Sequence, residues 1–474
     1  MRRWFSNVAR EELVLGYAFV KWAVLSVAAG VVVGAAAAVF LLLLGKGIGA
    51  AGLLGRFRVL LLPFGLAASV FTVRTLAPEA AGHGTEKVIE AVHQRSGRIS
   101  LPTVPVKLAA TIITIASGGS AGKEGPCAQI GAGLTSAMAG LLRLNDADRK
   151  KLVVCGISAG FSAIFGTPVS GAIFGLEVLY IGQVYYDVML PAFISGIVAF
   201  QTAAHLGVHY ADQSLAAFPA LASSSLAWVA LSGLFFGLVA LIHIEIVSVT
   251  ERYLKGIAAR PEVKAFGSGV ALLLFSLLLG TRYFGLGTEF IEAAVSGEPV
   301  PGGAFLVKSF FTGVTLAAGG TGGILTPTFF VGAGAGSFFA SLFHLDLSLF
   351  SSIGFVAVLA GAANTPIAAT IMATELFGGG IASFAAVACI ISFAISGHRS
   401  IYPSQILARP KSRVFQFSGE KVAVDKHSHK INLSETIIPT VVSWLRGNWE
   451  SLTRLSRGGK KRSTPKDPPG QDGE

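Results

Sequence analysis

Apolar residues fill most of the chain in long stretches that only short polar segments interrupt. The first stretch runs from near Leu15 to about Leu44. It predicts a retained helix, because it is too long for the apolar core of a signal peptide. Two blocks, Leu152 to Glu251 and Ser309 to His398, contain no Lys or Arg. Each is about a hundred residues long and can cross a bilayer several times, so the pattern predicts an all-helical polytopic membrane protein.

An internal repeat is the most informative pattern within these stretches. Residues 106–133 and 307–334 are identical at 12 of 28 positions when they are aligned at an offset of 201. Two flanking segments recur in the same order, with GHGTE at 82–86 matching GLGTE at 285–289, and Thr-Pro with a later Glu at 167–177 matching 365–375. A duplicated unit of about 200 residues is typical of transporters and channels whose site lies between the two halves.

The charges fit the same interpretation. The net charge is +11, but only 13% of the residues are charged, and the basic ones cluster in loops and at both ends. Positive-inside placement explains these clusters better than nucleic-acid binding does, and it predicts cytoplasmic termini. The middle of the chain is free of Lys and Arg, which implies an odd number of crossings in each half. This arrangement favours an inverted repeat.

The expected organisation along the chain follows from the repeat and the charges. It consists of a cytoplasmic N-terminus (1–14), a first membrane half (15–204), an extracellular connection (205–225), a second membrane half (226–409) and a partly disordered cytoplasmic tail (410–474) with an amphipathic stretch near 437–455. The hydrophobic segments are short and interrupted by Gly and Pro at corresponding positions of both halves. Helices that end partway through the membrane would explain these breaks, since the freed backbone groups can line a cavity or bind an ion.

Two glycine-rich turns precede Pro126 and Pro327 and predict half-helices whose N-termini point into the membrane. Free N–H groups and the positive end of the helix dipole at such a point attract an anion. A phosphate-binding loop is the rival interpretation, but the first turn lacks the required Gly-Lys-Ser/Thr order. Within this turn Glu124 is a carboxylate among apolar and small residues, and its counterpart in the second half is Leu325. Because intramembrane carboxylates are costly, Glu124 is a candidate gate that competes with an anion for the same donors.

These motifs resemble the CLC family of chloride channels and H⁺/Cl⁻ exchangers, in its short form without CBS domains. The resemblance rests on GKEGP at 122–126, on GILTP at 323–327 and on Tyr402 in SIYPSQIL. It implies an inverted-repeat fold with many tilted and broken helices, a homodimer in the cell membrane, and chloride as the transported ion. It assigns the gate to Glu124, the backbone donors to Ile324 and Leu325, and the hydroxyl donor to Tyr402. The turn itself adds Gly122, Lys123 and Gly125 as candidates for anion binding, because glycine lets the backbone approach an ion and Lys123 raises the local potential for anions.

Three positions depart from the family pattern, and two of them leave the mechanism open. The phenylalanine of the family's second signature is Leu325 here, which should leave backbone coordination intact because N–H groups bind the anion. At 82–86 a histidine, His83, stands where the family carries a serine that helps to hold the anion, so His83 either donates an N–H or turns away. Val178 stands where exchangers of the family commonly carry an internal glutamate. Glu177 and its repeat mate Glu375 are expected at helix ends rather than in a proton relay.

Proton-coupled chloride exchange is therefore the leading expectation, with passive conduction as the alternative. A fluoride exporter is less favoured because Pro126 is kept, and a cation-coupled symporter because the carboxylates lie beside anion-type turns. The apolar blocks show no constellation of nucleophiles or metal ligands, so neither an enzyme nor a cofactor is expected. The predicted partners are chloride, protons, the bilayer and a second copy of the chain.

Overall fold

The computed structural model of the chain describes residues 2–210, 213–215, 218, 222–412, 415–417, 422–424 and 429–431. Within these ranges the helices form two sets of eight that follow the same order. The first set comprises α1 (Arg2–Gly52), α2 (Leu61–Leu76), α3 (Thr85–Gln94), α4 (Thr103–Ala116), α5 (Glu124–Leu141), α6 (Asp146–Phe165), α7 (Pro168–Glu177) and α8 (Met189–His205). The second set comprises α9 (Ser223–Gly256), α10 (Pro261–Leu279), α11 (Thr288–Val295), α12 (Ala304–Ala317), α13 (Leu325–Phe343), α14 (Leu347–Ala363), α15 (Pro366–Phe377) and α16 (Ala382–Ile395).

The remaining elements are short. Single 3₁₀ turns lie at Gly55–Leu60, Pro78–Ala80, Tyr186–Val188 and Gly379–Ile381. The strands are β1 (Tyr180–Ile181), β2 (Ile406–Leu407), β3 (Phe415–Phe417), β4 (Val422–Ala423) and β5 (His429–Ile431). Strand β2 pairs in parallel with β1 and antiparallel with β4. Residues up to Arg409 and 422–424 belong to one compact unit, whereas 410–412, 415–417 and 429–431 belong to a second unit, in which β3 and β5 pair antiparallel.

Helix lengths confirm the predicted mixture of complete and broken crossings. Among the described residues, six helical segments are long and apolar enough to span a membrane, and they belong to α1, α2, α8, α9, α10 and α13. Others fall short. Helix α4, for example, has 14 residues and extends about 21 Å, less than the roughly 30 Å of a hydrocarbon core. The first helix is longer than predicted and already begins at Arg2.

The relation between the two halves is fixed by a pair of carboxylates. Glu177 at the end of α7 accepts the N–H groups of Ile367 (3.2 Å) and Ala368 (2.9 Å), which begin α15. Glu375 near the end of α15 accepts the N–H groups of Val169 (2.9 Å) and Ser170 (2.8 Å), which begin α7. Each helix thus ends beside the start of its repeat counterpart, so the two helices run antiparallel. This confirms the inverted repeat and the helix-end role expected for both glutamates.

Several expectations about the chain ends and the connection stay untested. Helix α8 ends at His205 and α9 begins at Ser223, and residues 211–212, 216–217 and 219–221 of the predicted connection lie outside the described residues. The tail from 432 onward, with the predicted amphipathic stretch near 437–455, also lies outside them.

Candidate functional site

The two glycine-rich turns predicted from the repeat meet in the interior of the protein. Gly122 and its counterpart Gly323 form an antiparallel bridge in which each N–H donates to the other's carbonyl oxygen at 2.6 Å. Helices α5 and α13 begin two residues after these glycines. Because the bridge engages the N–H of Gly122, a direct bond from that group to an anion would require the bridge to open.

Neighbouring atoms explain why these positions are glycines. A Cβ on Gly122 would lie 2.4 Å from Oε2 of Glu124 and 2.8 Å from Oγ1 of Thr326. A Cβ on Gly125 would lie 2.0 Å from the carbonyl oxygen of His83. The absence of a side chain at Gly122 therefore leaves room for the carboxylate of Glu124. The absence of one at Gly125 lets the backbone of the 82–86 segment pack against the start of α5.

The carboxylate of Glu124 occupies the N-terminus of the opposite half-helix. Glu124 is fully buried. Its Oε2 accepts the N–H of Thr326 at 3.1 Å, and its Oε1 accepts the Thr326 hydroxyl. Both donors lie in the first turn of α13, where the helix dipole also favours negative charge. The carboxylate thus fills a position suited to an anion.

Ile324 and Leu325 form the start of this same turn. Ile324 is the N-cap of α13 and Leu325 is its first residue, and both side chains are buried. The predicted role of these residues depends on their backbone N–H groups, so the replacement of the family's phenylalanine by leucine leaves the donors in place. The sequence pattern alone did not point to Thr326. Two features of the sequence could have indicated Thr326. It lies in the first turn of a predicted anion-binding half-helix, and it carries both a hydroxyl and a backbone N–H that can donate.

A cavity of about 380 Å³ leads to Glu124. Its polar lining includes Lys123, Glu124 and Thr326 together with His209, Tyr210 and Glu292. Apolar walls come from Phe165, Phe329 and Phe355; the rings of Phe329 and Phe355 stack at 4.1 Å, and that of Phe165 meets Phe329 edge-on at 5.2 Å. Lys123 lines the cavity next to Glu124. The cavity ends at Glu124, whose side chain is itself buried.

A group of unsatisfied polar atoms lies between the start of α3 and the segment that follows α16. Within the described residues, Nδ1 of His83, Oγ1 of Thr85 and Oη of Tyr402 are buried without a well-formed hydrogen bond. Buried polar atoms of this kind are costly unless a ligand or water satisfies them. Tyr402 interacts electrostatically with Glu124. The structure therefore brings His83 and Tyr402, both predicted from the sequence, into the neighbourhood of Glu124.

Two buried lysines hold the loops that carry these groups. Nζ of Lys107 donates to the carbonyl oxygens of Ala80 (3.0 Å) and Gly82 (2.6 Å). Its counterpart Lys308 donates to those of Tyr283 (3.0 Å) and Gly285 (2.9 Å). The repetition of these bonds shows that the loop before α3 and the loop before α11 are built in the same way. Only the loop before α3 carries a histidine at this position, namely His83.

The position of Val178, where the sequence lacks an internal glutamate, is fully buried. Its carbonyl oxygen accepts a bond from Nε2 of Gln405 at 2.8 Å. Nearby, a carboxylate that the sequence pattern did not indicate, Glu86 of α3, accepts the N–H of Ser404 at 3.0 Å. Its second oxygen, Oε2, is buried and without a partner among the described residues.

The chain is similar in sequence and in fold to known proteins. A sequence model of the family described as "voltage gated chloride channel" matches residues 64–397. The chain is 36% identical to a "chloride/fluoride channel protein" of Pseudomonas syringae pv. tomato, in an alignment covering 69% of this chain and 74% of that protein. It is 25% identical to an "H(+)/Cl(-) exchange transporter" of Citrobacter koseri, covering 65% of this chain and 68% of that protein. The solved structure of a "CLC-type fluoride/proton antiporter" superimposes with a TM-score of 0.78 at 28% identity, covering 82% of this chain and 98% of that one.

Proposed function

The chain belongs to the CLC family, the voltage-gated chloride channels and related antiporters, and on this basis we propose that it exchanges halide ions for protons across a membrane with Glu124 as the gate. The observation that carries this proposal is the Glu124 carboxylate bound to the N–H and hydroxyl of Thr326 at the start of α13. A halide and a carboxylate compete for such donors because both are anions that accept hydrogen bonds.

Protonation of Glu124 provides the coupling. The ionised carboxylate binds the donors of α13 and closes the path. Once protonated it loses the charge that holds it there, withdraws, and leaves the donors to the anion. A proton that enters Glu124 from one side and leaves to the other while a halide moves in the opposite direction would link the two fluxes.

The remaining predicted residues take supporting roles in this proposal. Ile324 and Leu325 offer backbone N–H groups at the start of α13, and Tyr402 offers its hydroxyl from the other side. Lys123 attracts anions to the cavity, while Gly122 and Gly125 leave room for the carboxylate and for the 82–86 backbone. The unsatisfied Nδ1 of His83 supports a donor role toward the anion rather than a side chain turned to a protein partner.

Chloride is the proposed substrate, and fluoride is the second candidate. Fluoride is supported by the names of the relative that is 36% identical and of the antiporter structure that superimposes over most of the chain. It is also supported by the histidine that replaces the serine expected in the 82–86 segment, since fluoride is the stronger hydrogen-bond acceptor of the two ions. Passive conduction, the alternative from the sequence, would require Glu124 to open the path without carrying a proton across.

We further propose a homodimer in the cell membrane with both termini in the cytoplasm, as the charge distribution indicates.

The test is a flux assay with purified protein in liposomes, in which halide efflux and external pH are recorded together. Exchange predicts proton uptake against its gradient when a chloride or fluoride gradient is imposed, and passive conduction predicts none. The two gradients used separately identify the preferred ion. Glu124→Gln should abolish proton movement and the pH dependence of halide flux. Glu262→Gln, a surface change at the start of α10, is the matched control and should leave both unchanged.

A further inference from the structure

Exchange through Glu124 requires a proton route to the side opposite the Glu124 cavity. The cavity reaches Glu124 at the start of α5. The loop after α3 lies toward the other end of α5, because the N–H of Ile99 donates to Oγ of Ser136 at 3.1 Å. Ser136 is 12 residues beyond Glu124 on the same helix, which corresponds to about 18 Å. A proton must therefore be carried over this distance by groups other than Glu124.

We propose that Glu86 is the proton acceptor that serves Glu124 from this opposite side, an inference that rests on the proposed exchange function. Its location is the first reason. The loop before α3 packs directly on the start of α5, since a Cβ on Gly84 would lie 2.3 Å from the carbonyl oxygen of Gly125. Glu86 follows two residues later, and both Glu86 and Glu124 interact electrostatically with the hydroxyl of Tyr402.

The hydrogen bonds of Glu86 are the second reason. Oε1 is held by the N–H and hydroxyl of Ser404, which fixes the side chain. Oε2 is buried and makes no hydrogen bond to the described residues. A carboxylate fixed through one oxygen and open at the other is suited to receive a proton. The unsatisfied hydroxyls of Thr85 and Tyr402 lie in the same neighbourhood and can pass it on.

The route onward follows the face of α3. Glu90 is one turn after Glu86, and residues four apart lie on the same face of a helix. Glu90 pairs with Lys87 at 2.8 Å, and both side chains are about one third exposed. The charged groups that act on Glu86 are Lys87 and Glu90 of its own helix, and the hydroxyl of Tyr402 faces it from another element. A proton from water can thus reach Oε2 of Glu86 by way of this partly exposed pair.

The step itself is a simple transfer. An O–H bond at Oε2 of Glu86 breaks and an O–H bond forms at the carboxylate of Glu124, with a hydroxyl relaying the proton. Glu86 is left ionised and Glu124 neutral, so charge is conserved. The segment that holds Glu86 also contacts the backbone of Val178, where the sequence lacks a carboxylate. Gln405 fixes the backbone of Val178 next to Ser404, and Glu86 reaches Ser404 from α3.

Glu86→Gln tests the inference. The amide oxygen still accepts a hydrogen bond from Ser404, but an amide does not take up and release a proton as a carboxylate does. In the liposome assay we expect halide flux within about twofold of the wild type and a loss of at least tenfold in coupled proton flux. The repeat offers a matched control. Glu289 is the second residue of α11, as Glu86 is of α3, but it is exposed. Glu289→Gln should leave both fluxes unchanged.

Each alternative result overturns a defined part of the reasoning. Wild-type proton coupling in Glu86→Gln refutes the role of Glu86 and leaves the exchange proposal intact. If the wild-type protein itself moves no protons, the exchange proposal fails and this inference with it. Loss of both fluxes in a variant that elutes and melts like the wild type refutes a pure proton role.

If Glu86→Gln does not fold, Ser404→Ala decides the question. That change removes one donor to the ionised carboxylate, so the pH midpoint of proton flux should move upward by about 1–2 units. An unchanged midpoint refutes the inference.

Discussion

The hydroxyl of Thr326 is the sharpest test of how the gate is held. It is one of two donors from α13 to the Glu124 carboxylate, and the other is the backbone N–H of the same residue. Thr326→Val removes the hydroxyl, keeps the N–H and preserves the shape of a side chain that is 4% exposed. The closed state then loses one bond to a charged acceptor, while the halide-free open state, with the carboxyl protonated and withdrawn, loses none.

The expected size follows from that difference. A hydrogen bond to a charged group contributes about 1.5–3 kcal/mol, so the ratio of closed to open gates should fall by roughly 10- to 150-fold. By linkage, the ionised form loses stabilisation relative to the protonated form, so the gate should open at higher pH. At 1.36 kcal/mol for each pH unit, the midpoint of halide flux should move upward by about 1–2 units.

The assay is halide efflux from liposomes between pH 4 and pH 9 for the wild type and three variants. Thr326→Ser keeps the hydroxyl and should retain the wild-type midpoint. Thr328→Val removes a neighbouring hydroxyl that bonds to Ile324 and His243 but not to Glu124, so it controls for a general loosening of α13. A Thr326→Val protein with the wild-type midpoint would show that the hydroxyl does not hold the closed gate.

Three further predictions concern the frame of the site. Gly122→Ala places a Cβ 2.4 Å from the Glu124 carboxylate and should displace it, so halide flux at pH 8 rises at least threefold; flux that stays pH-gated as in the wild type would contradict this. Glu177→Gln removes the charge at the start of α15 and should lower stability by about 1–3 kcal/mol, seen as a lower melting temperature, with proton coupling retained. Loss of coupling at an unchanged melting temperature would assign Glu177 to proton transfer instead. Lys308→Met leaves two buried carbonyl groups without their donor and should cost about 2–5 kcal/mol in thermal unfolding without changing ion selectivity, and an unchanged melting temperature would refute it.

The sequence predicted the architecture because duplication and broken helices leave direct traces in it. The offset of 201 aligns α4 with α12 and α5 with α13 residue by residue. Glu124 was predicted because a carboxylate in an apolar intramembrane turn is costly and therefore indicates a functional role. The partners of the acids could not be predicted in the same way. Glu124 bonds to Thr326, 202 residues away, and Glu86 bonds to Ser404, 318 residues away. No local pattern specifies such pairs, since they depend on how the inverted halves pack.

The inverted repeat also explains why the proposed gate uses a carboxylate from only one of the two halves. The fold builds each turn twice, and the bridge between Gly122 and Gly323 brings the two starts together. In the first half the turn carries Glu124, and in the second the same position is Leu325. The side-chain donor that binds Glu124 is the hydroxyl of Thr326, and the counterpart of Thr326 is Gly125, which has no side chain. A carboxylate at 325 would therefore find no matching hydroxyl at the start of α5. The asymmetry lies in two adjacent positions of each turn, so the gate can close against α13 and not against α5.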